Sequence, residues 1–521
     1  MSRTLGLLAV AAVAVWTALS TWNSVTRYRS PYEMRGGRPG GDPVAERAVL
    51  IVIDGVRLDA SGRMSELQAL ARRGSSGVVQ AALPSLSNTN RAVLATGAWP
   101  EVNGVTNNGR YQPPPVDSLF SLAAAAGMPR AAAGSSFWGR AFGEYLEGHL
   151  LFQTKTISHN TAPEAMAKWQ EDNCRDSQEF LARYERGFLV VDVAAADAAG
   201  HDFGGESEAY RQVIQAVDRC LGSLVRALDN GRTAFAIVSD HGHIQRRGGG
   251  GHGGSEPEVA EVPLVFAGKG IRTSSGWRVN AVDVAPTVAI LLGLPLPGTN
   301  QGSVLWDSLD LPDELSLAAK ARFRAQQQAL AEILPNGRPS PGQRRGERAS
   351  PALVALLLGM VAAGFTYSRS QNRLALLIAV AGYLGLYYLL FAAVGLGYSL
   401  SVINREELLP LFLGKNLFAA SVAFLTVAVT VHRRAPEAGS TACLALGVIS
   451  ISAMQVAWLH YQSGLFMMDA MPDLNLNLKA ALDLLQIAAV AVTAAIAARR
   501  TTRRPAASNV PPQDAIVGDR P

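Results

Sequence analysis

Five long apolar runs in the last third of the chain constrain its architecture most strongly. They cover residues 352–367, 374–397, 408–431, 440–459 and 478–498. Each is long enough to cross the apolar layer of a bilayer as a helix, the first barely so. We therefore predict an integral membrane protein with a bundle of about five helices over residues 351–498, followed by a tail at 499–521.

A shorter apolar run lies near the start, from Leu5 to Leu19. It is short for a membrane span, and Ala18-Leu19-Ser20 is similar to a signal-peptidase site. For residues 1–29 we favour an uncleaved signal anchor over a cleaved signal peptide. Residues 30–44, rich in Arg, Gly and Pro, are predicted to be a linker. Under either alternative the segment that follows is exported.

Arginines in the short connections predict the orientation of the bundle. The connections at 368–373 and 432–439 hold two arginines each, and the start of the tail, at 499–504, adds four. The alternate connections, near 398–407 and 460–477, hold only Arg405. Because cytoplasmic loops are enriched in Arg and Lys, the Arg-rich side is predicted to be cytoplasmic. The segment before the bundle would then lie on the non-cytoplasmic side of the cell membrane.

Residues 45–311 alternate between strand and helix patterns. Four short apolar runs, at 48–53, 187–191, 234–238 and 262–266, are typical of strands buried on both faces. Helical patterns lie between them, for example at 64–73 and 206–228. This predicts an α/β domain with a mostly parallel sheet and helices on both faces. Residues 312–350 are predicted to form an amphipathic helix followed by a Pro/Gly/Arg-rich linker.

Five short motifs in this domain carry residues that can bind metals or act in catalysis. They are Ile53-Asp54-Gly55, Pro84-Ser85-Leu86-Ser87-Asn88-Thr89-Asn90, Asp197-Ala198-Ala199-Gly200-His201, Ser239-Asp240-His241-Gly242 and Gly251-His252-Gly253. Most of them follow an apolar run, where an α/β sheet presents its functional side chains. We expect all five to meet at one edge of the sheet.

The residue types suit two divalent metals. Asp197 and His201 are spaced to share one ion if the segment is helical, and His252 would complete that set. Asp54, Asp240 and His241 would make the second set. Carboxylate oxygen and imidazole nitrogen are ligands that zinc takes readily, so zinc is the expected metal.

Ser87 is the candidate nucleophile, bridging from the second metal to phosphorus. Cleavage of a phosphodiester is slow because its anionic oxygens repel a nucleophile and because the leaving oxygen departs with charge. Of two bound metals, one activates the nucleophile and the other stabilises the leaving oxygen. Residues 87–95 read as the first turns of a helix that Gly97 ends, which places Ser87 at a helix N-terminus favourable to phosphate. Asn90, one turn on, is predicted to donate its amide to a phosphate oxygen.

The order of these motifs resembles the alkaline phosphatase superfamily. Within it, the type I phosphodiesterase/nucleotide pyrophosphatase branch is similar in the metal motifs, in Thr96-Gly97 and in Pro100-Glu101-x-x-Gly104. Glycosylphosphatidylinositol ethanolamine-phosphate transferases are similar at Asp197-x-x-Gly-His201 and at Val282-Asp283-Val284-Ala285-Pro286-Thr287. The resemblance covers residues 45–306 and implies an alkaline-phosphatase-like fold. It also implies one zinc on Asp54, Ser87, Asp240 and His241 and another on Asp197, His201 and His252.

Several other classes are disfavoured. A net charge of +5 without a basic stripe, and 7% aromatic residues not interleaved with basic runs, argue against nucleic-acid binding. Ser87 lacks the following x-Pro-x-Arg that a sulfatase needs. The three cysteines have no metal-binding spacing. The sequence does not decide whether Cys174 and Cys220 form a disulfide.

The leading hypothesis is an exported, membrane-bound, two-metal enzyme that cleaves a phosphodiester through a phosphoserine. It would pass a phosphoethanolamine-like group to a lipid or glycan acceptor, or hydrolyse it. The bundle favours a lipid-associated substrate. One alternative is a nucleotide pyrophosphatase/phosphodiesterase that uses the bundle only as an anchor. A second is a non-catalytic receptor or transporter with a degenerate domain.

Four polar residues interrupt the apolar runs: Lys415, Asn416, Asp483 and Gln486. The ordinary interpretation is that they snorkel from near a segment end toward the outer surface. The functional alternative is that they pair with one another or contact a lipid head group, because charge inside a membrane is costly.

Overall fold

The computed structural model describes residues 2–26, 28–33, 39–109, 113–151, 161–334, 345–403, 408–434, 440–463 and 474–502. The centre of the predicted linker (335–344), the connection residues 404–407 with Arg405, and the tail beyond 502 lie outside the described residues.

A single eight-stranded sheet organises the first part of the chain. Its strands are β1 Arg47–Ile53, β2 Ser75–Gln80, β3 Arg130–Gly134, β4 Gly148–Leu151, β5 Gly187–Val193, β6 Thr233–Val238, β7 Glu261–Gly268 and β8 Ser274–Asn280. They lie in the order β4-β3-β5-β1-β6-β7-β2-β8. Only β7 runs antiparallel to its neighbours, β6 and β2. The predicted, mostly parallel sheet is confirmed.

Strand β1 shows why its sequence is continuously apolar. Leu50 and Val52 pack into the hydrophobic core on one face of the sheet. Val49, Ile51 and Ile53 pack into a separate core on the other face. Every residue of β1 is buried, which explains the absence of polar alternation. Helices therefore cover both faces, as predicted.

The helices before the bundle are α1 Ser2–Thr26, α2 Leu58–Ser61, α3 Ser65–Arg73, α4 Ser87–Thr96, α5 Pro100–Asn103, α6 Leu119–Ala125, α7 Ser136–Phe142, α8 Pro163–Leu181, α9 Ala195–Phe203, α10 Glu208–Leu228, α11 Pro257–Ala260, α12 Val284–Leu291 and α13 Asp313–Ile333. Short 3-10 turns occur at Gly143–Tyr145, Ala281–Asp283, Trp306–Ser308 and Leu400–Val402. Helices α3 and α10 match the helical patterns at 64–73 and 206–228 to within about two residues at each end. Helix α13 is the helix predicted at the start of residues 312–350.

A disulfide joins two helices on one side of the sheet. Cys174 on α8 and Cys220 on α10 are bonded, with Cα atoms 5.7 Å apart. The sequence left this pairing open, because the distance between the two helices cannot be read from spacing alone.

The bundle contains α14 Arg345–Arg369, α15 Arg373–Ala393, α16 Leu409–Arg434, α17 Ser440–Ser463 and α18 Leu474–Thr502. With α1 they make six helices, among the described residues, long and apolar enough to cross a membrane. Helix α1 packs along α18. Leu7, Ala11 and Ala14 of α1 are buried in the same core as α18 residues such as Leu482 and Val490.

Three of the four polar residues in the bundle are buried, so the snorkelling interpretation is wrong for them. Asn416 accepts a hydrogen bond from the Tyr387 hydroxyl (2.7 Å). Asp483 pairs with Lys479 (2.9 Å). Gln486 donates to the Tyr383 hydroxyl at 3.0 Å. In a membrane such side chains are stable where neighbouring helices supply polar partners.

Lys415 differs from these three residues because its side chain is exposed. It lies in the second turn of α16, near the end of the bundle that meets the α/β domain. This position fits the snorkelling interpretation.

One end of the bundle contacts the α/β domain directly, through the α15–α16 connection at 394–403. Ser401 donates to a Glu256 carboxylate oxygen (2.9 Å) and accepts from the amide of Gly254 (2.9 Å). Arg246 donates to the backbone carbonyls of Gly395 and Val402. The bundle therefore supports residues 246–256, the segment that carries His252.

Candidate metal centre

Three neighbouring parallel strands bring the acidic motif residues to one sheet edge. β1, flanked by β5 and β6, runs parallel to both. Asp54 follows the end of β1, Asp240 follows β6, and Asp197 lies in the helix α9 that begins just after β5. Because carboxyl ends of parallel strands meet at the same edge, these carboxylates are close in space.

The first group surrounds Ser87. Its Oγ lies 2.9 Å from Nε2 of His241. That nitrogen is 3.4 Å from Oδ1 of Asp54 and 3.7 Å from Oδ2 of Asp240. Asp54, Asp240 and His241 are all buried and have donor atoms within 4.8 Å of one another. The structure thus brings together the residues predicted for the second metal.

The second group surrounds Asp197. Its Oδ1 lies 3.5 Å from Nε2 of His201, one helical turn later in α9, and 3.5 Å from Nε2 of His252. The two imidazoles are also close, with Nε2 atoms 3.2 Å apart. The residues predicted for the first metal therefore converge as well.

The two groups form one continuous cluster. The rings of His241 and His252 stack with centroids 3.6 Å apart and planes 10° apart. Nε2 of His241 is 4.0 Å from Oδ1 of Asp197. Five of the six predicted ligands other than Ser87 fall into two overlapping sets of compatible donors, Asp54/Asp240/His241 and Asp197/His241/His252.

Unpartnered buried oxygens fit the binding of cations here. Oδ1 of Asp54 and Oδ2 of Asp240 are buried without a hydrogen-bond partner among the described residues. Buried carboxylate oxygens without donors are costly, and a divalent ion would satisfy them. The other Asp240 oxygen is fixed by the amides of Gly55 (3.2 Å) and His241 (3.0 Å).

The imidazoles are also oriented for coordination. Nδ1 of His252 lies 3.0 Å from the carbonyl of Ser85, and Nδ1 of His241 lies 3.2 Å from the carbonyl of Gly242. A proton held on Nδ1 by these carbonyls leaves the Nε2 lone pairs facing the carboxylates. This second set of contacts is typical of histidine metal ligands.

Burial and neighbouring charges set the protonation of the cluster. Burial lowers the pKa of His241 and of His252 to about 3, so both rings are neutral, the form that binds metals. Burial, together with nearby Asp240, raises the pKa of Asp54 well above its usual value. For Asp197 burial acts in the same upward direction, but His201 and a hydrogen bond from His243 outweigh it and hold the pKa well below the usual range.

Helix α4 presents Ser87 to the cluster. Ser87 is its first residue, and Leu86 at the N-cap makes no side-chain capping bond. The serine hydroxyl faces His241 of the cluster. Gly97 ends α4 in the left-handed conformation (φ 66°), as the sequence predicted.

Asn90 does not reach the cluster, so the amide role predicted for it is wrong. Its Oδ1 accepts from the amide of Ala82 (2.7 Å), and its Nδ2 donates to the carbonyls of Ala82 (3.2 Å) and Leu86 (3.3 Å). The side chain is buried and ties the segment before α4 to the helix. All its hydrogen-bonding groups are already engaged, which leaves none for a phosphate.

Sequence reasoning set His243 aside, yet it lies in the cluster. Its Nε2 is 2.9 Å from Oδ1 of Asp197, closer than either His201 or His252. Asp197, His201 and His243 form a third set of compatible donors. The available signal was the spacing: His243 is two residues after His241 in the same extended segment, so both come to the same sheet edge.

Arg91 is a second residue that the sequence did not single out. It lies one turn after Ser87 in α4 and is buried between two carboxylates. Its guanidinium bonds to Asp54 (2.5 Å) and to Asp192 of β5 (3.2 Å). Burial alone would lower the pKa of Arg91, but the charges of Asp192 and Asp54 raise it. A permanent cation thus stands beside the carboxylates of the cluster.

Two glycines allow the close approaches that the site needs. At Gly55 (φ +76°) a Cβ atom would lie 2.6 Å from Cα of Asp197. At Gly200 it would lie 2.3 Å from Cδ2 of His243. Any side chain at either position would push an Asp197 or His243 contact apart.

Comparison with known proteins agrees with this geometry. Residues 48–248 match the family model described as type I phosphodiesterase / nucleotide pyrophosphatase. The chain is 25% identical over 322 residues to GPI ethanolamine phosphate transferase 1 of Homo sapiens, covering 52% of this chain and 34% of that protein. It is 28% identical over 172 residues to 2,3-bisphosphoglycerate-independent phosphoglycerate mutase of Prochlorococcus marinus subsp. pastoris, covering 31% of each. The chain thus spans about a third of these curated relatives.

Among solved structures, murine ectonucleotide pyrophosphatase / phosphodiesterase 5 aligns with 48% of this chain and 95% of its own, at 16% identity and a TM-score of 0.41.

The motifs, the geometry of the cluster and the sequence matches agree on one kind of domain: residues 48–248 are similar to the type I phosphodiesterase / nucleotide pyrophosphatase family. Over about half of its length the chain is also similar in sequence to GPI ethanolamine phosphate transferases.

Proposed function

We propose that this integral membrane protein is a two-metal enzyme that cleaves a phosphodiester through a phosphoserine at Ser87 and transfers the phosphoryl-linked group to a lipid or glycan hydroxyl. The observation that carries the proposal is the position of Ser87 Oγ, 2.9 Å from His241 Nε2 inside the Asp54/Asp240/His241 group. No other hydroxyl in the described residues has an equivalent place in the site.

The residues present fit two divalent metals, and we propose zinc. Asp54, Asp240 and His241, with Ser87, would hold one ion, and Asp197, His201 and His252 the other. When bound, the ions supply the positive charge that activates the attacking oxygen and stabilises the leaving oxygen. His243 and the carbonyls of Ser85 and Gly242 keep the ligands oriented.

The chain's own residues carry the group transfer. Ser87 Oγ forms a bond to phosphorus as the bond from phosphorus to the leaving alcohol oxygen breaks, and the leaving oxygen departs with the electron pair. The proton that Ser87 loses ends on the leaving oxygen, which departs as an alcohol, because Nε2 of His241 would be occupied by the ion that it holds. An acceptor hydroxyl then displaces Ser87 from phosphorus. Burial of Ser87 keeps water from competing at this second step.

Transfer to a membrane-bound acceptor is favoured over hydrolysis by one contact. The α15–α16 connection bonds to Gly254 and Glu256, close to His252, so the site stands next to the end of the bundle. A lipid or lipid-linked glycan would reach it from the bilayer. We further propose that the site lies on the non-cytoplasmic side, because the Arg-rich connections are at the opposite ends of the same helices.

The second candidate is hydrolysis of a nucleotide phosphodiester, which the match to the pyrophosphatase family favours. A degenerate, non-catalytic domain is not supported, because all seven predicted ligand and nucleophile residues converge.

The deciding experiment follows a label. Full-length protein is incubated with phosphatidylethanolamine labelled in its ethanolamine, or with a labelled nucleotide phosphodiester, in the presence of membrane lipids. Label that passes to a lipid or glycan acceptor supports transfer. Label released only as free phosphoethanolamine, or turnover of the nucleotide alone, would overturn it. Ser87→Ala protein serves as the blank.

A further inference from the structure

The junction between the α/β domain and the bundle encloses a cavity separate from the metal cluster. Its volume is about 170 Å³. The backbone of Gly248 to Gly250 forms one wall, and Leu408, Leu411 and Phe412 at the start of α16 form the other. Arg246, Arg247 and Lys415 also line it.

Within the part of the chain that the structure describes, no carboxylate pairs with the cations of this cavity. Arg246 donates to the carbonyls of Gly395 and Val402, which carry no net charge. Arg247 and Lys415 are exposed. Among the described residues, no ion pair to an acidic side chain involves any of the three. The cavity thus concentrates positive charge and offers it to an anion.

The apolar wall identifies the kind of anion. Leu411, in the first turn of α16, is 57% exposed, and Leu408, which directly precedes the helix, is 42% exposed. Lys415 is six residues into this helix, roughly 9 Å along its axis. A lysine at that depth extends its amine toward the membrane surface, where lipid phosphates lie. A ligand here would meet cations at one end and exposed leucines at the other.

We propose that this cavity binds the head group of an anionic phospholipid, with the phosphate against Arg247 and Lys415 and the acyl chains along Leu408 and Leu411. The proposal requires only that the bundle lies in a membrane, and it does not depend on the chemistry proposed for the metal cluster. A bound lipid would also contact the backbone of Gly250, whose amide donates to the carbonyl of His201 (3.3 Å). The lipid site and the metal cluster thus share one stretch of chain.

The test titrates full-length protein in a non-ionic detergent with dioctanoyl phosphatidylglycerol and counts bound lipid by native mass spectrometry. We expect one tightly held lipid per chain. Arg247→Gln with Lys415→Gln should weaken it by roughly fivefold per removed charge, so about 25-fold in all. Arg247→Lys with Lys415→Arg should restore it. Arg183→Gln, an exposed arginine in a turn of the α/β domain, is the matched control and should change nothing.

Three results would overturn the proposal. Equal binding by the double glutamine variant would show that Arg247 and Lys415 do not bind the lipid. Displacement of the lipid by millimolar inorganic phosphate would show a site for free phosphate, with no part played by the leucines. Loss of binding on addition of EDTA would place the lipid at the metal cluster. Leu411→Gln offers an independent check, since it leaves both cations in place and should still weaken the lipid.

Discussion

The guanidinium of Arg91 bonds to the carboxylate of Asp54 at 2.5 Å, with both side chains almost completely buried. Arg91 holds Asp192 of β5 at the same time. One cation therefore links helix α4, which carries Ser87, to two strands whose ends build the metal cluster. Its removal would leave two carboxylates in an apolar interior.

Arg91→Met should destabilise the α/β domain by about 3–5 kcal/mol, because breaking a buried ion pair leaves an uncompensated charge. This loss of stability is measured by urea unfolding of full-length protein after chelation, with hydrogen exchange in β1 and β5 as the readout. The control is Arg226→Met, which breaks an exposed pair with Glu66 and should cost about 0–1 kcal/mol. Equal losses in the two variants would mean that Arg91 only fills space.

His243→Ala should lower metal affinity at the Asp197 set by roughly 10–100-fold, since a residue that orients a ligand has effects of this size. Metal content by mass spectrometry during dialysis against a graded chelator gives the affinity without an activity assay. His252→Ala should lose the ion outright. His432→Ala, an exposed histidine near the far end of α16, is the control. Unchanged affinity in His243→Ala would reduce His243 to a packing residue.

Gly200→Ala should disturb the cluster through His243, because the new Cβ would lie 2.3 Å from Cδ2 of that ring. Overpacking of this kind typically costs about 1–3 kcal/mol. The same substitution in a His243→Ala background should cost much less, since the obstructing ring is gone. Thermal unfolding of wild type, of each single variant and of the double variant gives the coupling between Gly200 and His243. Additive losses would show that Gly200 is needed for another reason.

Ser87→Ala should reduce turnover by on the order of 10⁴–10⁶-fold while leaving metal content largely intact. Wild-type protein quenched during turnover should yield a peptide in which Ser87 is bonded to the phosphorus of the transferred group, detected by its mass. Thr89→Val, two residues on in α4, is the matched control, because the Thr89 hydroxyl has no hydrogen-bond partner among the described residues. Phosphorus found on another residue would show that this other residue, and not Ser87, is the nucleophile.

Reporter fusions test the proposed orientation. A reporter placed after Arg434 should behave as cytoplasmic, and one inserted within 336–346 should behave as exported, because the Arg-rich connections favour the cytoplasmic side. Alkaline phosphatase and green fluorescent protein fusions give opposite signals for the two compartments. The reverse pattern would place the catalytic site in the cytosol.

The elements and most of the site could be predicted because their signals are local. Runs such as that of β1 and the long apolar helices identify themselves by composition, and the motif residues follow strand ends. Asn90 could not be placed, because its spacing from Ser87 fits both a phosphate donor and the backbone anchor that the structure shows. Arg91 and the Cys174–Cys220 pair depend on which elements become neighbours, which no local pattern encodes.

The contact between α1 and α18 has a consequence for biosynthesis. Leu7, Ala11, Ala14 and Ala18 of α1 are buried in the core that α18 shares. Small residues of this kind allow two membrane helices to approach closely. The partner of α1 is translated only after the α/β domain and four other spans. The bundle therefore cannot be completed until α18 has been synthesised. Until then the alanine face of α1 is not covered by α18. A nonsense mutation before α18 would leave that face permanently without this partner.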